Sequence, residues 1–596
     1  MFNSIFRTKK IDSILAESSS NNDIHSSGLQ RVLTLKDLTF FGIAAILGAG
    51  SFSSLGSAVY SGGPGVVILF IITAIACAFT AFCYSEFASR IPVAGSAYTY
   101  AYASFGELFA WIIGWALIME YSIGNIYVAF SWSDYFTSFL DRLGEILHIN
   151  LHLPEYLSTS YMEAKHAVEE GSSNAALVSA WSNAPIVAGI KCIVDLPALL
   201  INLLITYLVF RGVKESRNFS NVMVVVKLLV VLLVIVVGAY FIFNLNLTSN
   251  WLPINDAGIH SFLPNGFSGV MAAVSGVFFA YIGFDAVSVL AEESKNPQQD
   301  LPKGMILSLV ICTIIYILLT LVLTGVVYYK NFEGVGDPLA FIFEPQNLNI
   351  GWMQFLVAVC AVVAMTSVLL VFQMGQPRIW MSMSRDGLLP SVFQKIHPKY
   401  NTPSFSTIIT GLVVGVPIIF TDKTFVLDFT SIATLFAFVL VCGGVLLIPR
   451  KNKEAGKFHL PYINGQYIFI TLIVIALIIL SLLVKNKVGN SYFSELLNGD
   501  FKNYTDDAMM KDKLFFTTFI SKFSTLIFWF IAVVLGVISY IKKYSMIPLM
   551  GLITCLYLLT GMTAINWLWF IGWLVIGLVI YFLYGHKKSK LVVESN

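Results

Sequence analysis

Two glycine-bearing stretches, Gly48-Ala49-Gly50-Ser51 and Tyr281-Ile282-Gly283-Phe284-Asp285, interrupt apolar runs that are each long enough to cross a bilayer. Glycine lets a helix open, and open backbone at bilayer depth is tolerated only where it lines a cavity. Glycine also serves close helix packing, and either stretch alone admits that reading. Their positions favour the first. Each lies in the opening helix of a block of five spans, residues 38–243 and 266–448. An odd number of crossings per block sets the blocks in opposite membrane orientation, the pattern of an inverted-repeat transporter with its substrate between two broken helices.

Working outward, the chain of 596 residues is 57% hydrophobic and 12% charged, with a mean hydropathy of +0.78. Such values exclude an ordinary soluble domain and predict an all-α polytopic membrane protein in contact with the lipid bilayer. About fourteen spans are expected, near 38–61, 64–88, 106–139, 192–210, 219–243, 266–291, 304–328, 352–376, 404–421, 424–448, 466–484, 523–541, 546–562 and 566–584. Arg90, Arg211, Lys214, Arg217, Arg378, Arg385 and the run Arg450, Lys451, Lys453, Lys457 fall on one side when both termini are placed in the cytoplasm. Residues 1–37 read as a cytoplasmic tail without a signal peptide, 38–450 as the core, and 451–596 as additional helices and a C-terminal tail. The outer loops 141–191 and 485–522 read as partly ordered caps. With 36 basic against 34 acidic residues there is no case for a nucleic acid partner. The seven cysteines carry no CxxC spacing, so neither a disulfide frame nor a metal site is expected.

Lys227 is the charge in the run Asn221-Val-Met-Val-Val-Val-Lys227-Leu-Leu-Val-Val-Leu-Leu-Val-Ile-Val-Val-Gly238. It lies roughly 12 Å inside a span beginning near Phe219, too deep to snorkel comfortably to the surface. Burial disfavours the charged form of an amine, so such a lysine can gain and lose a proton, as proton-coupled transport requires. The plainer reading is a lysine bonded to carbonyls for helix packing. The breaks themselves suggest a ligand. Amides freed at Gly48, Ala49 and Gly50, with a half-helix N-terminus, suit a carboxylate. Carbonyls around Ile46, Phe279, Ala280 and Ile282 suit an ammonium. A pocket offering both suits the zwitterionic end of an amino acid. No dinucleotide fingerprint or phosphate-binding loop is present, so no cofactor or nucleotide is expected.

Phe41-Gly-Ile-Ala-Ala-Ile-Leu-Gly-Ala-Gly-Ser51, Cys83-Tyr-Ser-Glu-Phe-Ala-Ser-Arg-Ile-Pro-Val-Ala-Gly-Ser-Ala-Tyr98, Gly283-Phe-Asp-Ala-Val-Ser-Val-Leu-Ala-Glu-Glu-Ser-Lys-Asn-Pro297 and Arg378-Ile-Trp-Met-Ser-Met-Ser-Arg-Asp-Gly-Leu388 together resemble the amino acid, polyamine and organocation transporter superfamily, most closely its cationic amino acid transporter branch. The resemblance covers about 30–450 and implies a LeuT-like five-plus-five fold with alternating access. It implies carboxylate contacts at Gly48, Ala49, Gly50 and Ser51, and amino-group contacts at Ile46, Phe279, Ala280 and Ile282. Phe279 matches an aromatic gate and Asn125 a residue near the side-chain pocket. Lys227 matches a lysine that replaces a sodium ion in proton-coupled relatives, with Ala44, Leu47, Thr366 and Ser367 as its neighbours. Ser51 followed by Phe52 departs from the usual branched residue, which bears on pocket size.

Two further carboxylates lie within spans. Glu120 admits three readings: facing a cationic side chain, joining a proton path, or bonding helices together. Asp285 reads as a cap on amides freed at the second break. Glu86 with Arg90 reads as inner gate or ion pair, and Glu292 and Glu293 with Lys295 as a solvated pair. No cluster of catalytic type stands out, so an enzyme is not expected. The expectation is a secondary active permease for free α-amino acids, cationic or neutral, at the plasma membrane and using protons. The alternatives are an exchanger and a membrane sensor with a transporter fold.

Overall fold

The computed structural model of the chain describes residues 7–9, 33–48, 50–91, 96–169, 171, 174–187, 189–212, 217–254, 258–288, 294–400, 402–447, 458–482 and 508–593. In chain order the helices are α1 (Leu35–Ile46), α2 (Leu55–Gly62), α3 (Val66–Arg90), α4 (Ser96–Ser104), α5 (Glu107–Leu147), α6 (Tyr161–Glu169), α7 (Ala175–Ser182), α8 (Leu196–Arg211), α9 (Arg217–Asn244), α10 (Gly266–Ala272), α11 (Val274–Phe279) and α12 (Pro297–Val326). They continue with α13 (Pro338–Phe341), α14 (Gly351–Arg385), α15 (Ser404–Phe420), α16 (Lys423–Leu447), α17 (Gly465–Leu482), α18 (Ala508–Lys542), α19 (Met546–Leu559) and α20 (Ala564–Ile580). Eight helical stretches are long and apolar enough to cross a membrane, and α8, α15, α17 and α19 are shorter apolar helices, among the described residues. The protein is a helical, multi-pass membrane protein. The sixth expected span falls on α10, α11 and the turn after them, each too short to cross alone, because the backbone opens there.

The helix ends follow local chemistry. Thr34 opens α1, its N–H and hydroxyl both donating to Asp37 Oδ2 at 2.9 and 2.6 Å. Asp195 caps α8 by accepting from the Ala198 amide at 3.0 Å, and it also accepts from Ser133 of α5 at 2.6 Å. Gly212 ends α8 in the left-handed region, φ +76°. At the centre, α5 packs along α14 and α16, while α12 packs along α1 and α3. Part of the outer loop 141–191 is ordered: α6, α7 and the two-residue pair Ile186–Val187 and Ile190–Lys191 enclose a small core of Ala164, Ala180, Ala184 and Ile193. The tail residues Ser18 to Asn22, the charges Arg450 to Lys457, the pair Glu292 and Glu293, and residues 485–507 of the loop 485–522 lie outside the described residues.

Helix α20 is fastened to α5. Trp111 Nε1 donates to Gly577 O at 2.9 Å, and Trp115 and Trp573 exchange indole-to-carbonyl bonds of 2.8 and 3.1 Å while their rings stack at 4.6 Å. A Cβ on Gly577 would lie 2.5 Å from Trp115 Nε1 and 2.7 Å from its Cγ, whereas one on Gly572 meets nothing within 4 Å. Gly577→Ala is therefore expected to cost about 1–3 kcal/mol through overpacking, seen as a lower melting temperature in detergent. Gly572→Ala should leave the melting temperature unchanged or slightly raised. Equal melting of the two variants would contradict this account of the joint.

Candidate functional site: a cavity between two broken helices

Both interruptions open as real breaks. The chain leaves α1 at Ile46, turns through Leu47 and Gly48, and resumes as a π-turn over Gly50–Ser54 before α2. It leaves α11 at Phe279 and turns to Gly283, whose φ is +115°. A left-handed φ of that size needs glycine, and a Cβ there would stand 3.0 Å from the Ala45 backbone carbon. The two breaks thus lie against one another. Ser54 Oγ adds a tie, at 2.8 Å from Gly50 O and 2.9 Å from Gly276 O.

A small cavity lies between the breaks. Ile46, Gly50, Phe279 and Ile282 line it from the broken segments, with Ala45, and Val128 of α5 with Val368 and Phe372 of α14 form the facing wall. Among the residues expected to bind substrate, Ile46, Gly50, Phe279 and Ile282 are therefore on the cavity, and Gly48 packs against Val368, which lines it. Ala49 lies outside the described residues. Ser51 is turned to the chain itself: its amide and hydroxyl both donate to Gly48 O, at 3.1 and 3.0 Å. Gly48 N–H likewise donates to Ile46 O at 2.9 Å. The α5 wall is Val128 instead of Asn125, one helical turn away. Asn125 is fully buried, and neither atom of its amide has a hydrogen-bond partner.

Sequence reasoning missed Tyr316. This α12 tyrosine places its hydroxyl 2.8 Å from Ile46 O and 2.6 Å from Ala280 O, so one donor serves a carbonyl from each break. One O–H proton cannot fully satisfy two carbonyls, and acceptor capacity remains there for an ammonium. A mid-span tyrosine whose hydroxyl requires a partner was the available signal. Val128, Val368 and Phe372 gave none, being apolar residues in apolar helices. Tyr127 packs edge-on to Phe279 at 4.5 Å, Lys423 pairs with Asp134, and the Lys423 ammonium sits 5.7 Å from the Tyr127 ring.

Lys227 is 1% exposed, while Val225, Val226, Leu229 and Val236 of the same helix are exposed on the opposite side. Its ammonium donates to Ser367 Oγ at 2.8 Å and to Ala44 O at 3.4 Å, joining α9 to α14 and α1. The expected neighbours separate here: Thr366 accepts from Trp132 Nε1 at 2.9 Å and donates to Val362 O at 2.7 Å, facing α5. Leu47 is buried in the turn. Glu120 is buried with Oε2 unpartnered, eight residues before Val128, which is roughly 12 Å along α5. The Asp285 carboxylate faces the amides of Gly283, Asp285 and Ala286, in the capping position its sequence suggests. Glu86 pairs with Arg90 and accepts from the Leu460 amide at 2.7 Å.

A Cβ on Gly50 would stand 2.5 Å from Ala280 Cα, which is backbone, whereas one on Gly48 would stand 2.6 Å from a Val368 methyl. Gly50→Ala is expected to force the breaks apart and reduce transport about 100-fold. The loss in Gly48→Ala should be partly restored in the double variant with Val368→Ala, since the obstacle there is a side chain. Wild-type uptake by Gly50→Ala would refute the close approach of the breaks.

The family model described as amino acid permease matches residues 33–496. The chain is 35% identical over 592 residues to the branched-chain amino acid permease of Bacillus subtilis, covering 99% of this chain and all of the relative. It is 38% identical to the methylthioribose transporter of the same organism, covering 77% of this chain and 89% of the relative. With the vacuolar cationic amino acid transporter 2 of Arabidopsis thaliana it shares 35% identity over 75% of this chain and 63% of the relative.

Proposed function

The chain belongs to the amino acid permease family, and on that premise we propose that it is a secondary active permease that moves free α-amino acids across the plasma membrane by alternating access, coupled to protons. The observation that carries this reading is the cavity bounded by both broken helices, with carbonyls of both breaks converging on one tyrosine hydroxyl. An ammonium brings three donors to such a site, and the dipole of the half-helix beginning at Gly50 favours a carboxylate nearby, although the amides of Gly48, Ser51 and Phe52 donate within the turn. The names of the relatives, branched-chain and cationic amino acid transporters, support the same substrate group. In this reading residues 38–243 and 266–448 form the inverted repeats of a five-plus-five LeuT-like core within 38–450. Residues 451–596 are further helices, and both termini are cytoplasmic. The name of the methylthioribose relative supports a second reading, a thioether sugar as substrate. The two readings differ in whether an amino acid competes for the site.

Coupling is assigned to Lys227. In its ammonium form it makes charge-assisted bonds to Ser367 of α14 and to the Ala44 carbonyl of α1. Loss of the proton weakens both bonds and frees α1 to move against α14, so occupancy by a proton biases the conformational equilibrium. In proteoliposomes, uptake is expected to need no sodium, to rise with an inward proton gradient, and to collapse in Lys227→Met, which keeps much of the volume but not the charge. Undiminished proton-driven accumulation by that variant would reduce the lysine to a packing role.

A further inference from the structure

We infer that the side-chain end of this site takes a neutral, apolar amino acid side chain and rejects a cationic one. This rests on the permease reading above and narrows it. The broken segments supply the polar backbone, so a zwitterion held there points its side chain at the opposite wall. That wall is Val128 of α5 with Val368 and Phe372 of α14, flanked by Ala45. No charged or polar side chain lines the cavity, among the described residues. A lysine or arginine side chain placed against these groups would lose its hydration with no partner in return, while a branched aliphatic or thioether side chain gains from leaving water.

Charge placement argues the same way. Lys227 is bonded to Ala44 and Ser367, the chain neighbours of the lining residues Ala45 and Val368. A second cation would be repelled there, not paired. The available anions are spent or absent from the lining. Asp285 faces amides of its own turn, Glu120 lies near Asp285, and neither carboxylate is among the residues that line the cavity. Val128 is the α5 residue on this wall, so a larger side chain at this position would take up ligand space.

The test uses the full chain in proteoliposomes, with uptake of radiolabelled isoleucine challenged by unlabelled isoleucine, valine, methionine, lysine, arginine and alanine. Isoleucine, valine and methionine are expected to abolish uptake, and lysine and arginine at the same concentration to leave it unchanged. In Val128→Phe, isoleucine uptake should fall at least about 10-fold relative to alanine uptake, the scale on which an apolar pocket discriminates size. Competition by lysine or arginine equal to that of isoleucine would overturn the inference while leaving the permease reading intact, as would an unchanged isoleucine-to-alanine ratio in Val128→Phe. If none of these amino acids is carried or competes, the permease reading itself fails and the inference with it.

Discussion

A backbone opened at membrane depth must find partners inside the protein, and in this chain one hydroxyl reaches a carbonyl of each opening. Tyr316 stands between Ile46 O and Ala280 O, and the rest of the centre is arranged around that junction. Glycine at 283 lets the second break lie against the first, and glycine at 50 admits the Ala280 backbone. Ser54 adds a hydroxyl between Gly50 O and Gly276 O. The two breaks are therefore coupled mechanically: a shift of one changes the hydrogen bonding of the other. Leaving a carbonyl unpaired in a water-poor interior costs on the order of 1–3 kcal/mol. That cost makes a competing donor, such as a substrate ammonium, able to reorganise the junction.

The same physics governs the helix that carries Lys227. Its exposed face is valine and leucine, which lipid solvates well, and its buried face includes a single ammonium. Ser367 and the Ala44 carbonyl are among the groups that hold this ammonium, which favours docking of the helix with that face inward. Ser367, which holds the ammonium, directly precedes the cavity-lining Val368 on α14.

The distal helices are also part of the central architecture. Through Trp111, Trp115 and Trp573, α20 is bonded to the helix that supplies Val128. At the start of α5 the buried Glu107 carboxylate accepts from Tyr102, Tyr581 and Ser589, and its amide donates to Arg7 O. Asp386, just past α14, accepts from Lys9 and Tyr98, and its carbonyl accepts from the Lys590 amide. Segments from both ends of the chain thus brace the two helices that form the cavity wall.

Composition and periodicity were enough to determine the membrane class and the breaks at Gly48–Gly50 and Gly283, because apolar length and glycine placement are local properties of the chain. The inward setting of Lys227 was legible for a similar reason: a lone charge in a lipid-length run has one tolerable direction. Asp285 could be read as a cap from its place beside the break. Other features depended on side chains far apart in sequence and meeting only on folding. Tyr316 reaches carbonyls 270 and 36 positions away. Thr366 turns to Trp132 while its neighbour Ser367 turns to Lys227, a division set by helix rotation. Val128 in place of Asn125 on the cavity follows from the same cause. Sequence fixes which groups a helix carries, whereas the angle at which α5 and α14 pack decides which of them face the ligand.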